Sequence, residues 1–187
     1  MKFIFSFLTF FISLNFSGQE IDPLDQFWNK LEQHCGKAFA GEVIEAPEND
    51  DFRGKKLVMH LRSCEENIIK IPFFVGEDRS RTWVLNKKNA TIELRHDHRH
   101  KDGTSDEVTM YGGISSNHGL PHLQVFPADQ ETANLIPEAA SNVWWITLTD
   151  TGFTYNLRRI GTDRFFTVKF DLTEPIKTPA APWGWEE

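Results

Sequence analysis

Residues 142–172 read NVWWITLTDTGFTYNLRRIGTDRFFTVKFDL. The stretch divides into three apolar-rich runs, 142–149, 153–160 and 164–172. Asp150-Thr151-Gly152 and Gly161-Thr162-Asp163 separate them, and these are residues that favour tight turns. In the last run Phe166, Val168, Phe170 and Leu172 alternate with Phe165, Thr167, Lys169 and Asp171. In the middle run Phe153, Tyr155 and Leu157 alternate with Thr154, Asn156 and Arg158. A period of two marks a strand with one face on a core and one in water. Connections of about three residues join antiparallel neighbours, because a parallel crossover needs about a dozen residues or more.

Working back from this stretch, the same signals recur at AFAGEVIEA (38–46), KKLVMHLRS (55–63), IIKIPFFV (68–75), RTWVLN (81–86), TIELRHDHRH (91–100) and EVTMYGG (107–113). Together they predict a mainly β chain, an antiparallel meander of about nine strands. One irregular excursion interrupts it between Ile114 and Ser141, where PADQETANLI (127–136) predicts a short helix stopped by Pro137. Upstream, Asp22 before Pro23 is a helix N-cap. Leu24, Phe27, Trp28 and Leu31 follow at helical spacing, so a short amphipathic helix is expected over 23–34, ended by Gly36. An open meander would leave two unpaired edges, and closure removes both, so the expected architecture is an up-and-down barrel. A sandwich would show the same alternation; the short sequential connections favour the barrel. The proline-rich tail TPAAPWGWEE (178–187) is expected to lie extended on the body, its tryptophans under apolar cover.

A short helix, a first strand with an internal glycine (FAGEV) and a run of antiparallel strands ending in an aromatic-rich one together resemble the lipocalin and fatty-acid-binding, or calycin-like, barrels. The resemblance spans Phe27 to Leu172 and implies a barrel that holds a small ligand. Gly41 is followed by Glu42 and Val43, where a lipocalin carries Gly-x-Trp. Separately, HDHRHKDG with YGG and FPAD resembles an uncharacterised family of secreted bacterial proteins, which implies no activity.

Residues 1–18 carry Lys2, an apolar run from Phe3 to about Leu14, and small residues Ser17 and Gly18. They read as a secretory signal peptide cleaved near Gly18, leaving a single β-rich domain at 19–187 in a secreted or periplasmic setting. The apolar run is shorter than the roughly 20 residues of a spanning helix, so the mature chain is expected to lack a transmembrane segment. Removing Lys2 leaves 19 basic against 27 acidic side chains, a formal charge of −8. An acidic chain whose basic residues occur only as scattered pairs argues against nucleic acid as a partner. The two cysteines, Cys35 and Cys64, are expected to form a disulfide: a hairpin centred near Asn49 and Asp50 brings them opposite one another.

The chemistry-bearing stretch is TIELRHDHRH. Spacing of two places His96, His98 and His100 on one face with Ile92 and Leu94, and Glu93, Arg95, Asp97 and Arg99 on the other. Three readings follow. The histidines form a hydrogen-bonded polar cluster with Asp97, Asp102 or Asp106; or they line a small-molecule pocket together with Tyr111; or they hold a transition metal. Alternate strand residues lie about 7 Å apart and those four apart about 13 Å, so only one adjacent pair could chelate. The remaining ligand would come from another element, with His60, His118, His122 and Asp106 as candidates. The metal reading implies a metal-dependent, hydrolytic enzyme; the pocket reading implies a binding protein. Ser80, Ser115 and Ser116 lack the nucleophile-elbow pattern of serine hydrolases, and no pair among 27 acids stands out for glycosidase chemistry.

Overall fold

A computed structural model describes residues 21–186. The segment read above as a signal peptide, residues 1–18, lies outside them. Helix α1 (Pro23–Glu32) is followed by strands β1 (Ala38–Glu45), β2 (Leu57–His60), β3 (Ser63–Glu65), β4 (Ile68–Val75), β5 (Asp78–Lys88), β6 (Thr91–His98) and β7 (Tyr111–Ile114). Then come β8 (Leu123–Pro127), α2 (Gln130–Leu135), a 3-10 turn (Pro137–Ala139), β9 (Asn142–Leu148), β10 (Gly152–Arg159) and β11 (Phe165–Ile176).

Every strand pair is antiparallel, and the strands run in the order β7-β6-β5-β4-β2-β1-β11-β10-β9-β8, with β3 pairing β4 beyond the end of β2. Pairing of β1 with β11 joins the first and last strands. The two ends of the sheet, β7 and β8, are linked by a bridge between Gly113 and Ala128 and by the Asp129 amide donating to the Gly112 carbonyl at 3.3 Å. The sheet is therefore a nearly closed up-and-down barrel, as the turn chemistry predicts. Two strands go beyond the nine expected: β3, a continuation of the β2 line, and β8, inside the excursion, which supplies the stave that meets β7.

The seam is narrow because Gly112 and Gly113 leave no room for side chains. A Cβ on Gly112 would sit 1.9 Å from the Leu94 carbonyl oxygen, and one on Gly113 would sit 1.9 Å from that of Pro127. Outside the seam, Arg95 of β6 is almost buried and forms ion pairs with Glu93 at 2.9 Å, Asp129 at 2.6 Å and Glu131 at 3.2 Å. Thr132 of α2 exchanges two 2.7 Å hydrogen bonds with the Gly112 backbone.

Helix α1 plugs one end of the barrel. The Asp22 carboxylate accepts from the Leu24 amide at 2.9 Å, and Leu24, Phe27, Trp28 and Leu31 are buried in the core among Phe39, Met59 and Ile146. Lys30 pairs with Asp150 at 2.6 Å and Lys87 with Asp25 at 2.5 Å, which ties the helix to the β9–β10 turn and to the end of β5. At the same end Cys35 and Cys64 form the expected disulfide, with Cα atoms 6.2 Å apart. The hairpin register that carries it pairs Ala38 with His60 and Gly41 with Leu57. The tail lies against the outside of the barrel: the Trp183 amide donates to the Arg79 carbonyl, Arg79 donates to the Ala181 carbonyl, and Lys70 stands 5.5 Å from the Trp185 ring. No helix among the described residues is long and apolar enough to cross a membrane.

Candidate functional site

The end of the barrel away from α1 holds a cavity of about 190 Å3. Its floor is an aromatic stack built by strand alternation. Trp83 on β5 lies between Phe73 of β4, with ring centres 4.7 Å apart and planes 14° apart, and Tyr155 of β10, at 4.4 Å and 16°. Trp144 of β9 and Phe166 of β11 complete the apolar lining, and Phe52 from the β1–β2 loop packs edge-on against Phe73 and Phe166 at the mouth.

His96 projects into this stack from β6 and is only 4% exposed. Its Nδ1 lies 3.0 Å from the Tyr111 carbonyl oxygen, which can only accept, so Nδ1 carries the proton. Nε2, 2.7 Å from the Tyr155 hydroxyl, is then the acceptor and Tyr155 donates. The imidazole also stacks on the Tyr111 ring at 4.7 Å. Burial pushes the His96 pKa down to about 3, the hydrogen bond to the Tyr111 carbonyl opposing and the charges of His98 and Arg95 reinforcing the shift. Burial likewise drives the Tyr155 phenol well above its ordinary range. At neutral pH the pair is an uncharged, fixed dipole whose two ring nitrogens are both occupied.

His98, nearer the mouth, is half-buried, and its Nε2 lies 3.2 Å from the Tyr111 hydroxyl. Its pKa is lowered by burial and by the nearby Arg81 charge, against the opposing carboxylates of Asp106, Asp97 and Asp78. His100 does not join them. The strand ends at His98, and His100 is exposed in the following turn, its amide bonded to the Thr104 carbonyl and its carbonyl to the Gly103 amide. His118 pairs with Asp22 at the α1 end, and His122 is exposed before β8. Neither residue lines the cavity. The expected grouping of His96, His98 and His100 with an outside ligand is therefore not assembled. Among the described residues no three His, Cys, Asp or Glu side chains gather in a way that could hold a metal ion. The hydrogen bonds of His96 and His98 go to two tyrosines, while Asp97 and Asp106 act on His98, and Asp102 and Asp106 on His100, through charge alone.

Three arginines rim the cavity: Arg81 at the start of β5, Arg159 at the end of β10 and Arg164 just before β11. Arg81 pairs with Asp78 at 2.5 Å and stands 5.2 Å from the Phe52 ring centre. Arg159 donates through Nε to Asn142 Oδ1 at 2.9 Å. The exposed Arg164 guanidinium has no hydrogen-bond or ion-pair partner among the described residues. Its positive charge acts on both Tyr111 and Tyr155. Among the described residues no aspartate or glutamate lines the cavity.

Sequence reasoning placed His96, His98 and Tyr111 at the site and missed Trp83, Tyr155 and all three arginines. A usable signal existed in strand parity. Arg81 shares a face with Trp83 and Leu85, Arg159 with Leu157 and Tyr155, and Arg164 with Phe166 and Val168.

No protein-family model, curated protein or solved structure matches the chain.

Proposed function

We propose that the chain is a small-ligand-binding barrel whose ligand enters the cavity at the end opposite α1, against Trp83, His96, His98 and Tyr111. The observation that carries this reading is the cavity itself, open at one end and lined by a stacked aromatic floor with a few convergent polar groups, the usual composition of a small-molecule site. The histidine nearest the floor supports binding over proton transfer. Its nitrogens are engaged and its pKa lies far below the working range of a general base, so it serves to hold Tyr155 and Tyr111 in place around the floor. We infer export to an oxidising compartment on the strength of the disulfide together with the apolar N-terminal run.

The test is fluorescence titration of the purified protein with a panel of one- and two-ring compounds, neutral, anionic and cationic. Trp83 and Trp144 line the cavity, so a true ligand changes their emission saturably, and Trp83→Phe removes most of that change. Flat titrations across the panel in the millimolar range would overturn the proposal.

A further inference from the structure

Volume and charge narrow the ligand further. A cavity of about 150 Å3 accepts a single benzene ring, and drug-sized ligands occupy about 300–1,000 Å3. At about 190 Å3, this one takes a ring-sized apolar body and excludes a long acyl chain or a macrocycle. The lining runs from apolar to cationic along the barrel axis, from the Phe73–Trp83–Tyr155 stack outward to the three arginines.

These cations are not a by-product of composition. The chain has 27 acidic and 20 basic side chains, yet among the described residues the cavity lining carries three arginines and no carboxylate. Three different strand ends supply the arginines, each continuing an inward-facing row. Neighbouring structure satisfies them incompletely: Asp78 neutralises Arg81, Arg159 is held by a neutral amide that leaves its charge uncompensated, and Arg164 has no partner among the described residues. Asp106 bears on His98 and Tyr111 from outside the lining but forms no ion pair with an arginine. A planar guanidinium presents paired donors that match a carboxylate or a phosphate, and two such groups at a rim leave a position for one anion.

We propose that the ligand is a compact organic anion, a ring-sized apolar body carrying one carboxylate or phosphate. Its apolar part stacks in the floor, and its anionic group lies at the mouth between Arg159 and Arg164, with Arg81 beside it. This rests on the binding reading above and goes beyond it in assigning orientation and charge.

Calorimetry and tryptophan fluorescence with phenylacetate, phenyl phosphate, the near-isosteric neutral phenylacetamide and the cationic phenethylamine test it. Either anion is expected to bind roughly 10- to 100-fold more tightly than the amide, with the amine weaker still, because a charged hydrogen bond replaces a neutral one. Which of the two anions binds better identifies the group the rim reads. Arg164→Gln changes an exposed side chain, and its melting temperature checks that the fold is kept; it should erase most of the preference for the anion, weakening anion binding far more than amide binding. Arg159→Gln should act in the same direction. Equal binding of anion, amide and amine in the wild type would overturn the charge assignment and leave the binding reading standing. Failure of every compound to bind would overturn both.

Discussion

At the scale of single residues, the histidine face owes its character to burial. His96 has an unfolded-state pKa of about 6.5 and a folded-state value of about 3, so the unfolded chain binds a proton across that interval while the folded protein does not. The stabilisation is fully present above about pH 6.5 and is lost as pH falls towards 3, with a slope of at most about 1.4 kcal/mol per pH unit. His34, His60 and His98 are lowered as well and act in the same direction. The lowered carboxylates of Asp78, Glu93 and Asp129 supply stability that is present above about pH 4.5 and is lost only below it. Urea unfolding at pH 7.0 and 5.0 therefore isolates the histidines: wild-type stability should fall by about 2 kcal/mol or more over that range, and His96→Gln should reduce the dependence to the part supplied by His34, His60 and His98. An unchanged slope in the variant would mean that the buried imidazole is not the group responsible.

At the scale of elements, what the sequence shows depends on where each strand keeps its apolar residues. Strands β10 and β11 put large apolar side chains inward and mostly polar ones outward, so their alternation and their turns were readable directly; β9 alternates in burial too, but its outward Val143 and Trp145 are apolar. Strand β8 reverses the pattern. Its inward residues are Gln124 and Phe126, both fully buried, while Leu123, Val125 and Pro127 face outward, which left the strand indistinguishable from loop. Strand β7 begins at Tyr111 and not at Glu107. Asp106 accepts from the Val108 amide in a tight turn, and Met110 adopts φ +56°, a conformation that breaks an extended run. A separate turn directly after β6, in which the His100 amide donates to the Thr104 carbonyl and the Gly103 amide donates to the His100 carbonyl, removes His100 from the face that period-two counting assigned to it. The glycines after Tyr111 were legible as a motif, but their purpose was not, because close approach of neighbouring backbones is a tertiary property. Gly112→Ala tests that purpose. With its methyl group forced against the Leu94 carbonyl, β6 and β7 must separate, at a cost of about 1–3 kcal/mol, read as a loss of several degrees in Tm. Ala tolerated at position 112 with no loss would show that the seam has slack.

At the scale of the whole molecule, closure is uneven, and that unevenness decides where the barrel opens. Nine of the ten junctions around the ring are hydrogen-bonded ladders; the tenth, between β7 and β8, rests on one bridge, one longer hydrogen bond and the groups that cross outside it. Arg95 is chief among these, since it binds Glu93 on its own strand and Asp129 beyond β8. Both Arg95 and Glu93 are almost buried, so removing the cation leaves carboxylates short of a partner in a place where water reaches them poorly. Arg95→Met should cost about 3–5 kcal/mol, the typical loss when one member of a buried pair is deleted. Amide hydrogen exchange locates the damage: the Asp129 amide, which donates to Gly112 across the seam, should exchange much faster than in the wild type, while those in the β1–β2 ladder, on the far side of the ring, should change only in step with global stability. Adding Asp129→Leu to Arg95→Met should recover part of the loss by removing one stranded charge. Uniform acceleration around the whole ring would instead mean that the barrel opens cooperatively, with no weak seam. Confinement of the effect to β7 and β8 would place the flexible wall beside Tyr111, so that the strand bearing one side of the cavity is also the one best able to move.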